Sequence, residues 1–121
     1  KLLVFSPAGR TIAFDAMRPG CHDPRARLAD MDLNRTERSL CFPSFPRFAG
    51  QAFSEAKDKT LMLACVRAYN DWMIEEWCEP SGGYNIPLGI IPLWDVELAT
   101  AEVRRIAAKG VHAIALSRSS S

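Results

Sequence analysis

An excess of charge of one sign is the first thing this sequence lacks: 15 Lys and Arg stand against 14 Asp and Glu, a formal net charge of +1. That balance excludes the strongly basic face of a dedicated nucleic-acid binder. No apolar run approaches the roughly eighteen residues a membrane span needs. The opening stretch Lys1–Phe5 is too short for a signal-peptide core and runs directly into Pro7 and Gly9. Neither nucleic acid nor membrane is therefore an expected partner, and the chain reads as cytoplasmic. Histidine is scarce. His22 and His112 are the only two, and neither belongs to a His-x-His, His-x-x-His or His-Glu-x-x-His spacing. A metal site needs three or four convergent donors, and the sequence offers no such set. Cys21, Cys41, Cys65 and Cys78 form no Cys-x-x-Cys pair, which excludes zinc-ribbon and thioredoxin-like chemistry; they read as reduced thiols serving as small hydrophobes. Phosphate cradles and nucleophile elbows are missing too. Ser81–Gly83 follows a helix and precedes a strand, the reverse of the order a phosphate-binding loop requires, and Gly-x-Ser-x-Gly is absent.

What is present is an ordinary globular composition, 48% hydrophobic and 24% charged, enough for one domain with a modest core. Leu2–Phe5 and Thr11–Phe14 are β-prone runs around the turn residues Ser6–Gly9, which predicts a hairpin, with a loop to residue 22. Asp23 before Pro24 is a helix start, an N-cap acid followed by proline at the first helical position, and a short amphipathic helix is expected to end near Asn34. Arg38–Phe42 reads as a buried strand stopped by Pro43. From Ser54 or Asp58 to Glu79, Met62, Val66, Tyr69, Met73 and Trp77 recur at helical spacing. Ile86–Leu93 is the nearly continuous apolar run of a parallel strand buried on both faces. Asp95 caps a helix over Val96–Lys109 with Leu98, Val103, Ile106 and Ala107 facing inward, Gly110 stops it, and Val111–Leu116 is a final strand.

From residue 23 onward the order is helix, strand, helix, strand, helix, strand. Such alternation means βαβ units around a parallel sheet. Two architectures fit: an open doubly wound sheet, or an arc of a (β/α)₈ barrel. Ligands in such folds meet the loops after the carboxyl ends of strands. That places Phe42, Pro43, Ser44, Trp94 and Ser117 as substrate-pocket residues that shape a site and break no bond. His22, His112, the carboxylate pairs Asp30 with Asp32 and Glu75 with Glu76, and the pair Arg104 with Arg105 read as structural or solvated. Asn70 and Asp71, polar beside a large apolar stripe, read as ties between the long helix and a neighbour. No catalytic residue and no metal ligand is assigned.

Taken together, Asp23–Asp32 with its Arg-Leu-x-x-Met-Asp, Leu40–Pro43, Val66–Trp72 with Tyr-Asn-Asp, and Ile86–Asp95 resemble in order and spacing the amidohydrolase-related family, the branch similar to aminocarboxymuconate-semialdehyde decarboxylase. The resemblance covers residues 19–117. It implies an α/β fold in which residues 23–121 are a partial (β/α)₈ TIM-barrel segment with parallel strands, preceded by the short β-hairpin and loop of residues 1–22. It implies a metal-dependent hydrolase or non-oxidative decarboxylase of a small organic acid or amide, holding a divalent metal, zinc or manganese, and forming a possible homo-oligomer. The family's ligands, a His-x-His, two later histidines and an aspartate, match no residue here. A departure from the family pattern lies at Asn34–Arg38, where many members carry a Gly-Val turn. With Lys1 at one end and Ser119–Ser121 at the other, both ends look cut, so the chain is expected to be inactive without the segments that carry the ligands. The competing expectation is a non-catalytic open α/β interaction module.

Overall fold

A computed structural model describes residues 3–5, 11–44, 46–47 and 50–116. Its first two strands, β1 (Leu3–Phe5) and β2 (Thr11–Ala13), pair antiparallel with Val4 opposite Ile12. The turn expected between them lies outside the described residues. This pair stands apart from the parallel strands, and a short 3₁₀ turn at Pro19–Cys21 leads to helix α1 (Pro24–Leu33). The Asp23 side chain accepts from the Arg25 and Ala26 N–H groups at 2.8 and 3.3 Å, which satisfies two of the donors a helix start leaves open. Helix α1 is less amphipathic than its sequence suggests. Met31 is its one buried residue, and Leu33 is 76% exposed.

Strands β3 (Ser39–Cys41) and β4 (Asn85–Pro87) pair in parallel, Leu40 opposite Ile86. Between them run α2 (Gln51–Glu55) and α3 (Lys59–Trp72), the latter continuing as a π-helical stretch, Met73–Cys78, and a 3₁₀ turn, Glu79–Ser81. Of the two starts expected for the long helix, Ser54 or Asp58, the structure has the second: Asp58 adopts an extended backbone to cap α3 and accepts from Leu61 N–H at 3.0 Å, while Ser54 belongs to the separate α2. Helix α4 (Val96–Ala108) then leads back to the sheet. There Gly89 N–H donates to Ala113 O at 3.1 Å and Ala115 N–H to Gly89 O at 2.8 Å, a parallel bridge centred on Ile114. The expected last strand is thus a single bridge.

The chain therefore joins three parallel segments in sequence order, each pair linked by helix, which is a mixed α/β arrangement with a small parallel sheet. One core cluster holds Val66, Leu88, Ile90 and Ala115, with Phe53, Tyr69 and Trp94 packed against it. A second holds Ile74, Ile106 and Val111. Gly89 sits where the sheet meets α4 so closely that a Cβ would lie 2.4 Å from Ile106 Cδ1. Strand β3 is a correction to its expected burial: Leu40 is 53% exposed while Ser39 and Cys41, which point to the other face, are partly buried, so among the described residues only one face of β3 is covered. Among the described residues, no helix is long and apolar enough to cross a membrane.

Candidate functional site

Of the expected stripe Met62, Val66, Tyr69, Met73 and Trp77, the inner face of α3 and its extension takes Val66 and Met73; its other buried residues are Asn70, Ile74 and Cys78. Turning that face inward leaves Tyr69, Trp72 and Trp77 along one flank, over the side chains of β3. Trp72 and Trp77 stack with centroids 6.1 Å apart, and Tyr69 lies 6.3 Å from Trp72. From the opposite side, α1 brings the Arg27 guanidinium to 5.9 Å from the Trp77 ring. The space enclosed is an open cavity of about 680 Å³, lined among others by Arg27, Cys41, Phe42, Tyr69, Trp77 and Asn85.

Two polar groups on this cavity are buried without a partner among the described residues: the Tyr69 hydroxyl and the Asn85 amide Nδ2. Asn85 is 2% exposed, and its backbone is fixed by its N–H donating to Ser81 Oγ at 2.9 Å. Most buried polar atoms find partners, so two orphan donors on one wall are unusual. The thiol environment is unusual as well. The neighbouring Cys78 thiol lowers the Cys41 thiol to about 7 against the opposing effect of burial; the Trp77 indole and the Arg27 charge act in the same direction as Cys78. The proton stays on Cys78, whose pKa is raised by the Cys41 partner and by burial. The Cys78 thiol donates to Met73 Sδ at 3.8 Å, and the Cys41 thiol to Ser39 O at 3.8 Å. Burial and the neighbouring sulfurs push the Tyr69 phenol up, so it stays a neutral donor.

A second polar cluster lies deeper, between α3 and α4. Glu102 is fully buried, and its carboxylate accepts from Asn70 Nδ2 at 2.8 Å and from Arg105 at 2.7 and 2.8 Å, with Arg67 3.5 Å away. Asn70 also donates to Ile90 O at 2.8 Å and accepts from Ile90 N–H at 3.0 Å, clamping α3 to the core segment after β4. Asp71 receives Arg105 and Lys109, both at 2.7 Å, and Glu75 receives Lys109 at 2.6 Å. The buried groups Glu102 and Asn70 are both satisfied within the cluster, which marks a structural lock. Arg105 is accordingly corrected from a solvated side chain to a member of this lock.

The residues expected to shape a pocket are only partly brought together. Phe42 and Ser44 line the 680 Å³ cavity, while Pro43 between them is buried. Trp94 is not among its lining residues; it packs on the core cluster under Lys59, whose Nζ is 5.1 Å from the ring centroid. Ser117 lies outside the described residues. Asn85, Arg27 and the Cys41–Cys78 pair were not singled out by sequence reasoning. Asn85 stands at the head of an apolar run, the one available signal; the thiols are 37 residues apart and meet only through the fold.

A resident metal would need its own donors. Among the described residues, no three of His, Cys, Asp and Glu gather into a group able to hold a metal ion. The residues present do not fit such a centre, and no chemical step is derived through one.

A family model described as "Amidohydrolase" matches residues 5–120, nearly the whole chain. A search of curated proteins finds no significant match.

Proposed function

This chain belongs to the amidohydrolase family, and from that premise we propose that residues 23–121 are a sector of a (β/α)₈ barrel from a metal-dependent hydrolase or non-oxidative decarboxylase acting on a small organic acid or amide. The observation that carries the reading is the match over residues 5–120 together with parallel segments that neighbour one another in sequence order. Three segments in sequence order fit an arc of a barrel and equally one half of a doubly wound sheet, so it is the family match that favours the barrel. The family is generally metal-dependent, and a divalent metal such as zinc or manganese would activate water or orient a carboxylated substrate. In this reading its ligands come from polypeptide other than these residues. The loop after β3, with Phe42, Pro43 and Ser44, the segment at Trp94, and Ser117 would bring aromatic walls and hydroxyl groups to a small-molecule substrate.

The test is metal content and activity measured side by side. The 121-residue chain, loaded with zinc or manganese and dialysed, is expected to retain well under one equivalent. A protein extended along its reading frame to include a His-x-His segment is expected to retain about one and to turn over carboxylated or amide substrates. Stoichiometric metal and turnover in the chain alone would overturn the sector reading. A frame that encodes no such segment on either side would favour a non-catalytic α/β interaction module.

A further inference from the structure

Positions five apart in an α-helix point about 140° away from one another. After Trp72 the winding changes: Met73–Cys78 is π-helical, and Glu79 N–H donates to Ile74 O, five residues back. That wider turn brings Trp77 round onto the flank of Trp72, where the indoles stack with centroids 6.1 Å apart and planes at 24°. Such stretches are frequent at functional sites. The pair borders the cavity of about 680 Å³ between α1, β3 and α3. Arg27, half-buried beside Trp77, forms no ion pair among the described residues, and Asp30, the acid one turn along its helix, is taken by Arg18. Asn85, 2% exposed, lines the cavity beside Ser39, its partner across the sheet, and its Nδ2 has no acceptor; the Tyr69 hydroxyl has no partner either. A cation, two unanswered donors and an aromatic face lack the same thing, a flat molecule with negative charge and oxygen acceptors. Water answers a donor but offers neither charge nor ring.

We propose that this cavity binds a small planar aromatic anion, which lies along the Trp72–Trp77 pair, takes Arg27 as its counter-charge and supplies oxygen acceptors to Asn85 Nδ2 and the Tyr69 hydroxyl. The cavity has the room of ordinary small-molecule sites, roughly 300–1,000 Å³, and a fused two-ring acid fits within it. Donors orphaned in the empty protein have already lost their water, so the ligand's oxygens gain bonds without breaking any inside the protein. Charge assistance makes the bond to Arg27 the largest single contribution. Stacking on the indoles is worth less and tolerates different rings. The site therefore discriminates by charge more sharply than by ring shape. The inference stands apart from the barrel-sector reading, since it uses only side chains of this chain.

The probe is naphthalene-2-sulfonate, with the neutral naphthalene-2-sulfonamide and the ringless methanesulfonate beside it. Each is titrated into the 121-residue chain labelled with 5-fluorotryptophan. The chain has three tryptophans, so three fluorine signals report, assigned with Trp72→Phe, Trp77→Phe and Trp94→Phe. The sulfonate is expected to shift the Trp72 and Trp77 signals saturably and to leave Trp94, which packs on the core and does not line this cavity, in place. The sulfonamide should bind about tenfold more weakly, because the charge-assisted bond to Arg27 is lost. Methanesulfonate should give no saturable shift. Arg27→Gln should lower the sulfonate to the sulfonamide's level, and Asn85→Ala should weaken the sulfonate several-fold. Equal affinity for sulfonate and sulfonamide, all three signals moving together, a shift that never saturates, or an affinity that Arg27→Gln and Asn85→Ala both leave unchanged would overturn the proposal. The first three readings come from the unsubstituted chain and decide the matter even where a variant fails to fold.

Discussion

Glu102 is a carboxylate with no exposed surface, in a helix whose other buried residues are Ala99 and Ile106. Burial alone would push its pKa up, yet the hydrogen bonds from Arg105 and Asn70 and the charges of Arg105 and Arg67 hold it below the usual carboxylate range. Asp71 is lowered in the same way: burial opposes, while Lys109 and Arg105 outweigh it. A folded-state pKa below the unfolded one means that the unfolded chain takes up protons first as pH drops. The stability contributed is therefore complete above the unfolded value and is lost as pH falls through the folded one. Denaturant midpoints are expected to be flat from neutral pH down to about 5 and to fall below about 4, where unfolded carboxylates titrate. Glu102→Gln should cost about 3 kcal/mol at neutral pH, because it leaves two guanidinium groups facing a neutral amide, and should flatten the acid decline. A variant with an unchanged acid limb would mean that another carboxylate governs it.

The elements show the same dependence on neighbours. Helix starts were legible in the sequence, since an N-cap is decided within three residues: Asp23, Asp58 and Asp95 each accept from the N–H groups just ahead of them. The inward faces were only partly so. Periodicity counts apolar residues, and it favoured Leu98, Val103, Ile106 and Ala107 on α4; Ile106 is on the face that meets α3, but its companions there are Ala99 and Glu102. Burying Glu102 requires Asn70, 32 residues earlier, and that partnership leaves no trace in local pattern. Asn70 itself was legible as a tie because an amide beside an apolar stripe needs partners. The cavity was half legible: Phe42 and Ser44 follow from their place after a strand, but Asn85 and the thiol pair depend on how β3 and β4 align. Gly89 tests the packing of α4 directly. Gly89→Ala should destabilise by about 1–3 kcal/mol through overpacking against Ile106. Ile106→Val, which removes the clashing Cδ1, should recover part of that loss in the double variant, read as a coupling energy from urea titrations. Simple additivity would place the strain elsewhere.

At the scale of the whole chain, the sheet is what remains unsatisfied. Among the described residues β3 pairs with β4 alone, so the backbone donors and acceptors on its other edge face outward. Leu40 on that strand, Phe42 just after it, and Leu93 and Leu116 beyond the later parallel segments are each more than 40% exposed. A complete barrel removes both liabilities at once, because closure pairs every edge and covers the inner side chains. The isolated 13.4 kDa chain has neither, and association through the β3 edge is its expected route to cover them. Sedimentation velocity over a tenfold concentration range should show a mass that rises with concentration. Leu40→Lys, placing a charge on the open strand, should shift the distribution toward monomer without changing the helical signal in circular dichroism, since it touches no helix cap and no member of the Glu102 lock. A chain that stays monomeric at every concentration and melts in one cooperative step would show that these residues complete their own sheet, and the barrel-sector reading would fail with it.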